Sequence, residues 1–273
     1  WTGDKVVACI DKPTMQFVNP LLKRKAFIWW NFPVSDYVRD RLLLGAVYGN
    51  GTDIDDDISA FISNPMEHAE ASKIALFSIA DYAWNMDAYK SDASWRRAFR
   101  YLMPGHAAAL QVFASHNSDL GGNEHDFRRE ESEQIRPALE RLLDAYCREG
   151  KREVAAASAV TEECERMIAS ADLLLASDEN PALIKEITPW LMQFKLLGEY
   201  GREVLCMLAA QCDGKKTELE KAASHAKALQ VLMKKIDATY NQNGFQPGVK
   251  TGSCHLKPAF DRLYQEVVQR TGK

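Results

Sequence analysis

The chain has 273 residues, 46% of them hydrophobic, with a formal net charge of −4 at pH 7 and a pI near 5.9. That balance leaves no general basic footprint for nucleic acid, and no run reaches the ~18 apolar residues of a membrane-spanning helix. Length allows about one to two domains with at least one substantial core. The chain starts at Trp1 with neither an initiator methionine nor a leader, and so reads as a piece of something longer.

In chain order, KVVACI, from Lys5, is too short for periodicity to choose between helix and strand. AFIWWNF, residues 26–32, reads as a strand in which Phe27, Trp29 and Asn31 share one face and Ile28, Trp30 and Phe32 the other. YVRDRLLLGAV, from Tyr37, is expected to be a helix whose amino end the Asp36 carboxylate would complement. The acids of TDIDDDIS, Asp53, Asp55, Asp56 and Asp57, read as a solvated helix start, since consecutive acids cannot all face one site on a regular backbone. In SNPMEHAEASKIALF, Asn64 is placed to cap a helix, with Pro65 at N1 and Glu67 at N3. The near-continuous apolar run from Lys73 to Trp84, KIALFSIADYAW, is expected to be a strand buried on both faces of a parallel sheet.

From about residue 92 onward almost every segment has a helical period. Ile135, Leu139, Leu142, Leu143 and Tyr146 form one apolar stripe, and Cys164, Met167, Ile168, Ala171, Leu174 and Leu175 form another. The longest helix is expected over about 188–211, with Pro189 at its start and Trp190, Leu191, Phe194, Leu197, Gly201, Val204, Leu205 and Leu208 on one face. Two more are expected over about 217–240 and 257–269, and helices so connected make an antiparallel bundle. The polar connector HNSDLGGNEHDFRREES, from His116, is the natural joint. The cysteines at 9, 147, 164, 206, 212 and 254 show no CxxC pair, and the histidines no HExxH. No metal and no cofactor are expected, and GxSxG, Walker and GxGxxG motifs are absent.

The residues that could carry chemistry gather around the tryptophan strand. An indole, an amide and a carboxylate, from Trp29, Asn31 and Asp36, suit a sugar, whose apolar ring faces pack on the aromatic and whose hydroxyls take the polar groups. If the strand belongs to a parallel barrel, its carboxyl end opens onto the active-site mouth. The plainer alternatives are a core tryptophan, an Asp36 that serves a helix end, and an Asn64 that serves as a cap.

WTGDKVV, FIWWNFPVSDYVRDRLLLGAVYGN, SNPMEHAEASKIALFSIADYAWN and HNSDLG…RREES together resemble family 84 of the glycoside hydrolases, the bacterial O-GlcNAcase group. ITPWLMQFK and QPGVKT extend the resemblance over nearly the whole chain. It implies an α/β plus all-α organisation: the C-terminal portion of a (β/α)8 TIM barrel in residues 1–124, followed by an antiparallel helical bundle in residues 125–273. It implies that Trp29 walls the pocket for the sugar's N-acetyl group, that Thr2 and Val6 line it elsewhere, and that Asn31, Asp36 and Asn64 are polar positions at the sugar site, with Asp36 on the outer hydroxyls. The implied reaction is substrate-assisted: the 2-acetamido oxygen attacks the anomeric carbon while two adjacent aspartates polarise that amide and protonate the leaving oxygen. Those aspartates are expected upstream of Trp1, so no catalytic residue is assigned in this chain; Asp55 and Asp56 do not match their motif. The implied partner is a GlcNAc-bearing glycoprotein or glycan, with no nucleic acid, no transmembrane segment and room for a homo-oligomer. The residues leave the compartment open, and the resemblance favours a periplasmic, cell-surface or secreted location. The competing reading is a catalytically silent carbohydrate- or glycoprotein-binding module on the same fold.

Overall fold

The structure, a computed structural model, describes residues 9–118 and 129–271. Thr2, Val6, most of KVVACI and the expected domain boundary at 124/125 lie outside the described residues. The elements are α1 (Lys12–Leu22), β1 (Ala26–Pro33), β2 (Ile58–Asn64), α2 (Ala69–Trp84), α3 (Ser91–Leu102), α4 (Ala107–Ser115), α5 (Arg136–Glu149), α6 (Val154–Leu175), α7 (Pro181–Cys212), α8 (Lys216–Thr239) and α9 (Leu256–Thr271). They fall into two compact units: the described residues up to Glu130 with Asp178–Glu186, and Glu131–Ser177 with the described residues from Ile187 onward.

The first unit is built on β1 and β2, which pair in parallel with Trp29 opposite Ile62 and Trp30 opposite Ser63. Alternation sends Ile28, Trp30 and Phe32 into a core with Ile10, Met15, Ile79, Tyr82 and Met86. Trp30 meets Phe61 edge-on with ring centroids 5.7 Å apart and lies 6.3 Å from the Tyr82 ring. Helix α1 is capped by Asp11, whose side chain accepts from the Thr14 amide at 2.9 Å.

Three sequence expectations fail here, each for a physical reason. The run from Lys73 to Trp84 is a helix, part of α2, and not a strand. Its buried residues, Ala71, Ser72, Ile74, Ala75, Ser78, Ile79 and Tyr82, recur at helical spacing, and its length exceeds the roughly 4–8 residues of ordinary strands. Asn64 ends β2 instead of capping the following helix. Helix α2 has its N-cap at His68, whose side chain makes no capping bond, and the Glu186 carboxylate accepts from the Ala71 amide at 2.7 Å, supplying the anion that a helix start favours. The acids of TDIDDDIS occupy a turn that feeds β2, not a helix start: the Asp57 amide donates to the Ile54 carbonyl at 2.9 Å. Lys12 lies 3.4 Å from Asp57, and Lys25 lies 3.9 Å from Asp56.

No helix follows Asp36 either. Residues 42–47 form a buried, irregular segment. Such a segment survives only if its backbone groups find partners, and here other elements supply them. The Leu44 amide donates to the Asn117 carbonyl at 2.8 Å. The Leu44 carbonyl accepts from the Trp95 indole at 2.8 Å. The Val47 amide donates to Ser78 Oγ at 2.9 Å, and the Val47 carbonyl accepts from the Tyr89 hydroxyl at 2.8 Å. Burial pushes that phenol's pKa up to about 12, which keeps it a donor.

The second unit is helical throughout its regular structure, from α5, α6, α7 after its opening turns, α8 and α9. Helix α7 begins at Pro181, earlier than expected, so Pro189 lies inside it and not at its start. The hydroxyl of Tyr200 joins three helices: it donates to Asp261 Oδ1 on α9 at 3.0 Å and accepts from Gln230 Nε2 on α8 at 2.8 Å. The QPGVKT stretch folds onto Asp237, which accepts from the Val249 amide at 2.8 Å and from Lys250 Nζ at 2.6 Å. Gly248 has φ 108°, and a Cβ there would stand 2.2 Å from Asp237 Oδ1, so glycine is required twice over.

Gly201, on the apolar face of α7, marks a close helix crossing. A Cβ at that position would lie 2.5 Å from the Phe260 ring and 2.8 Å from Cys164 Sγ. Gly201→Ala gains up to about 1 kcal/mol of helix propensity but overpacks a fully buried site, which costs about 1–3 kcal/mol. Denaturant unfolding of the variant is expected to show net destabilisation, and Gly201→Ala/Phe260→Leu to recover part of it. An unchanged or raised midpoint for Gly201→Ala would refute the close crossing.

Candidate functional site

At the carboxyl end of β1 the structure brings together residues far apart in sequence. Trp29 and Asn31 alternate onto one face of β1, and the register sets Ile62 opposite Trp29 and Asn64 opposite Pro33. The Trp29 indole N–H donates to Asn31 Oδ1 at 3.0 Å, and Asn64 Nδ2 donates to the same oxygen at 3.3 Å. The indole is a donor only, so this contact fixes which way the Asn31 amide points. Its oxygen is occupied by two donors, and its Nδ2 is turned the other way.

Burial separates the two adjacent tryptophans. Trp30 is 1% exposed and Trp29 is 56% exposed. The same face carries Phe27 and Ile62, at 60% and 47%. Exposed apolar side chains beside amides mark a face made to be covered, by a ligand or by further protein. Ile62 is the member that sequence reasoning missed. ISAFISN, with two isoleucines and a phenylalanine between an acidic turn and a proline, carries only a weak strand signal.

Asp36 is exposed, in the turn that follows β1, and its backbone carbonyl accepts from Arg39 Nε at 3.2 Å. Arg39 in turn stands 3.5 Å from Glu67. Just beyond β2, burial lowers the pKa of His68, against the opposing charges of Glu186 and Glu67. Thr2 and Val6 are outside the described residues. Among the described residues no group of three or more His, Cys, Asp or Glu side chains could hold a metal ion, and no helix is long and apolar enough to cross a membrane. The cluster itself holds an indole and two amides. It can bind and orient a ligand, and it contains no acid or base to transfer a proton.

The hydrogen-bond hub is testable without any ligand. Asn31→Ala removes the acceptor of the Trp29 indole, so that N–H should exchange faster with solvent and its NMR resonance should shift, whereas Asn31→Asp keeps an acceptor and should preserve the protection. Because Trp29 is half-exposed, stability should change by only about 1 kcal/mol. Equal protection in both variants would mean that Asn31 does not hold the ring.

Comparison with known proteins places both parts of the chain. A family model described as beta-N-acetylglucosaminidase matches residues 1–115, and one described as bacterial GH84, post-catalytic domain, matches residues 131–264. Protein O-GlcNAcase of Rattus norvegicus and that of Mus musculus are each 33% identical to this chain over 94 residues, which make up 34% of this chain and 10% of the relative. Among solved structures, CpGH84D is 27% identical with a TM-score of 0.83, over 98% of this chain and 44% of its own. CpGH84B is 24% identical with a TM-score of 0.84, over 96% of this chain and 44% of its own. A Thermobaculum terrenum O-GlcNAc hydrolase mutant is 21% identical with a TM-score of 0.76, over 100% of this chain and 56% of its own. The last two are likenesses of fold. The chain matches about a tenth of the length of these curated relatives and under half of CpGH84D.

Proposed function

The chain belongs to glycoside hydrolase family 84, and from that premise we propose that it is the C-terminal share of a retaining β-N-acetylglucosaminidase acting on terminal β-linked GlcNAc of glycoproteins or other glycoconjugates. In this reading residues 1–124 are the last part of a (β/α)8 barrel, with β1 and β2 among its strands, and residues 125–273 are an antiparallel helical bundle. The observation that carries it is the Trp29–Asn31–Asn64 hub on the exposed face at the carboxyl end of a parallel strand pair. In barrels of this class ligands sit at that end.

Each residue then has a separable task. The Trp29 ring, held by Asn31, packs against the acetamido group. Asn31 Nδ2 and Asn64 donate to, or accept from, ring hydroxyls. Asp36 takes the outer hydroxyls through charge-assisted bonds, and Thr2 and Val6 complete the lining. The reaction needs the substrate's own acetamido oxygen as nucleophile and a pair of adjacent aspartates upstream of Trp1 to polarise it and protonate the leaving oxygen. This chain orients the nucleophile, and by itself it binds without turnover. The silent-module alternative rests on the lack of an acid or base in the Trp29–Asn31–Asn64 hub. Turnover of an aryl N-acetylglucosaminide by the intact protein separates the two.

Asp36→Ala in the intact protein should reduce kcat/KM on that substrate by about 10- to 150-fold, the worth of a ~1.5–3 kcal/mol hydrogen bond to a charged group. Because Asp36 is exposed, its melting temperature should stay close to that of the wild type. Normal kinetics in the variant would remove Asp36 from the site.

The adjacent tryptophans provide an internal control. Trp30→Ala, at a fully buried position, should cost about 3–5 kcal/mol of stability and affect all substrates through the folded fraction. Trp29→Ala should change stability far less and shift preference toward substrates with bulkier N-acyl groups, with kcat falling because the acetamido nucleophile is less well held. An unchanged acyl preference in Trp29→Ala would show that its ring does not wall the acetamido pocket.

A further inference from the structure

The outer face of α2 and α3 carries a patch that neither the core nor the Trp29 cluster uses. Trp84 is 91% exposed and Tyr101 is 76% exposed, although large aromatic side chains are highly buried on average. Phe77, Asp81 and Trp84 follow one another at helical spacing, so they share a face of α2. Helix α3 answers them in order: Tyr101 lies against Phe77 with ring centroids 5.7 Å apart, and Arg97 pairs with Asp81. An aromatic pair, an ion pair and a lone aromatic therefore stand in line, with Phe77 and Trp84 separated by about 10 Å of helical rise.

On the adjoining stripe of α3, Arg96 and Arg100 are exposed and have no ion-pair partner among the described residues. The nearby acids are already engaged, Asp81 by Arg97 and Asp92 by Arg129; Asp87 lies in the turn beyond Trp84. The face is thus cationic with spaced aromatic platforms. Pyranose rings stack their apolar faces on such platforms, a repeat of two sugars bridges the interval between them, and guanidinium groups bind carboxylate or sulfate. An acidic peptide would answer the arginines and leave the aromatic spacing unexplained.

We propose that the α2–α3 face binds an extended anionic glycan carrying uronate or sulfate groups. This site stands independently of the pocket reading given above, because it uses none of the pocket residues.

The test is calorimetric titration of the intact protein with a hyaluronan oligosaccharide that ends in glucuronate at its non-reducing end, a sulfated glycosaminoglycan oligosaccharide and a neutral cello-oligosaccharide of equal length. One or both anionic glycans should bind more tightly than the neutral one, and the tightness should fall with added salt. Which anionic arm is stronger identifies the group that the arginines take. Trp84→Ala and Arg96→Gln/Arg100→Gln should each weaken binding by about tenfold, while saturating N-acetylglucosamine leaves it unchanged. All the substituted side chains are exposed, and unaltered thermal melts will verify that folding persists. The proposal is overturned if neither anionic glycan binds, if polyglutamate binds as tightly, if Trp84→Ala has no effect, or if N-acetylglucosamine displaces the bound glycan.

Discussion

The alternation of β1 is the constraint on which the first unit turns. Successive side chains of a strand point to opposite faces, so burying Trp30 among Phe61, Tyr82 and the apolar residues around them commits Trp29 to the other face. The two tryptophans are chemically identical, and position alone gives them different tasks. Trp30 contributes the energy of a buried ring and thereby fixes the register. That register then places Trp29 beside Ile62 and brings Asn31 within reach of Asn64. A shift of one residue would exchange every side chain between the faces, so the site is specified by the core behind it.

This explains what could be read in the sequence and what could not. β1 was legible because AFIWWNF is short, apolar and bounded by lysines and a proline. The pairing of Trp29 with Asn31 followed from its period, and so did a separate place for Trp30. β2 was not legible because its flanks invite helical readings: the acids before it resemble a helix start, and Asn64 with Pro65 resembles a cap. Tertiary context decided otherwise. The Asn64 amide is engaged with Asn31, and the helix that follows takes its anion from Glu186, distant in sequence. No local pattern contains that contact. The misreading of Lys73–Trp84 was of a different kind, since the run was long enough for length to decide in favour of helix.

The helical unit was easier to read because its information is local. Stripes such as Ile135–Tyr146 and Cys164–Leu175 repeat with the helical period, and the residues they name are mostly buried in the structure. Pro189 misled because proline is commonest at a helix start, whereas α7 carries it internally and begins at Pro181. Gly201 appeared in the sequence as one more member of an apolar face. Its meaning, a close approach of Phe260 and Cys164, depends on helices far from it along the chain.

In the proposed site, the hub at Asn31 builds a binding residue without an orphaned polar group. An exposed amide facing a ligand would otherwise sample several orientations, and its disorder would have to be removed on binding. Here the Trp29 indole can only donate, and Asn64 donates to the same oxygen, so the carbonyl end of Asn31 is committed before any ligand arrives. The end that remains is a donor with a set direction. One interaction therefore does two things: it holds the Trp29 ring in place, and under the proposed function it would define the polarity that the neighbouring ligand atom must have. Replacing the amide by a carboxylate would keep the first function and invert the second, which makes an amide, and not merely a polar side chain, the residue that this geometry requires.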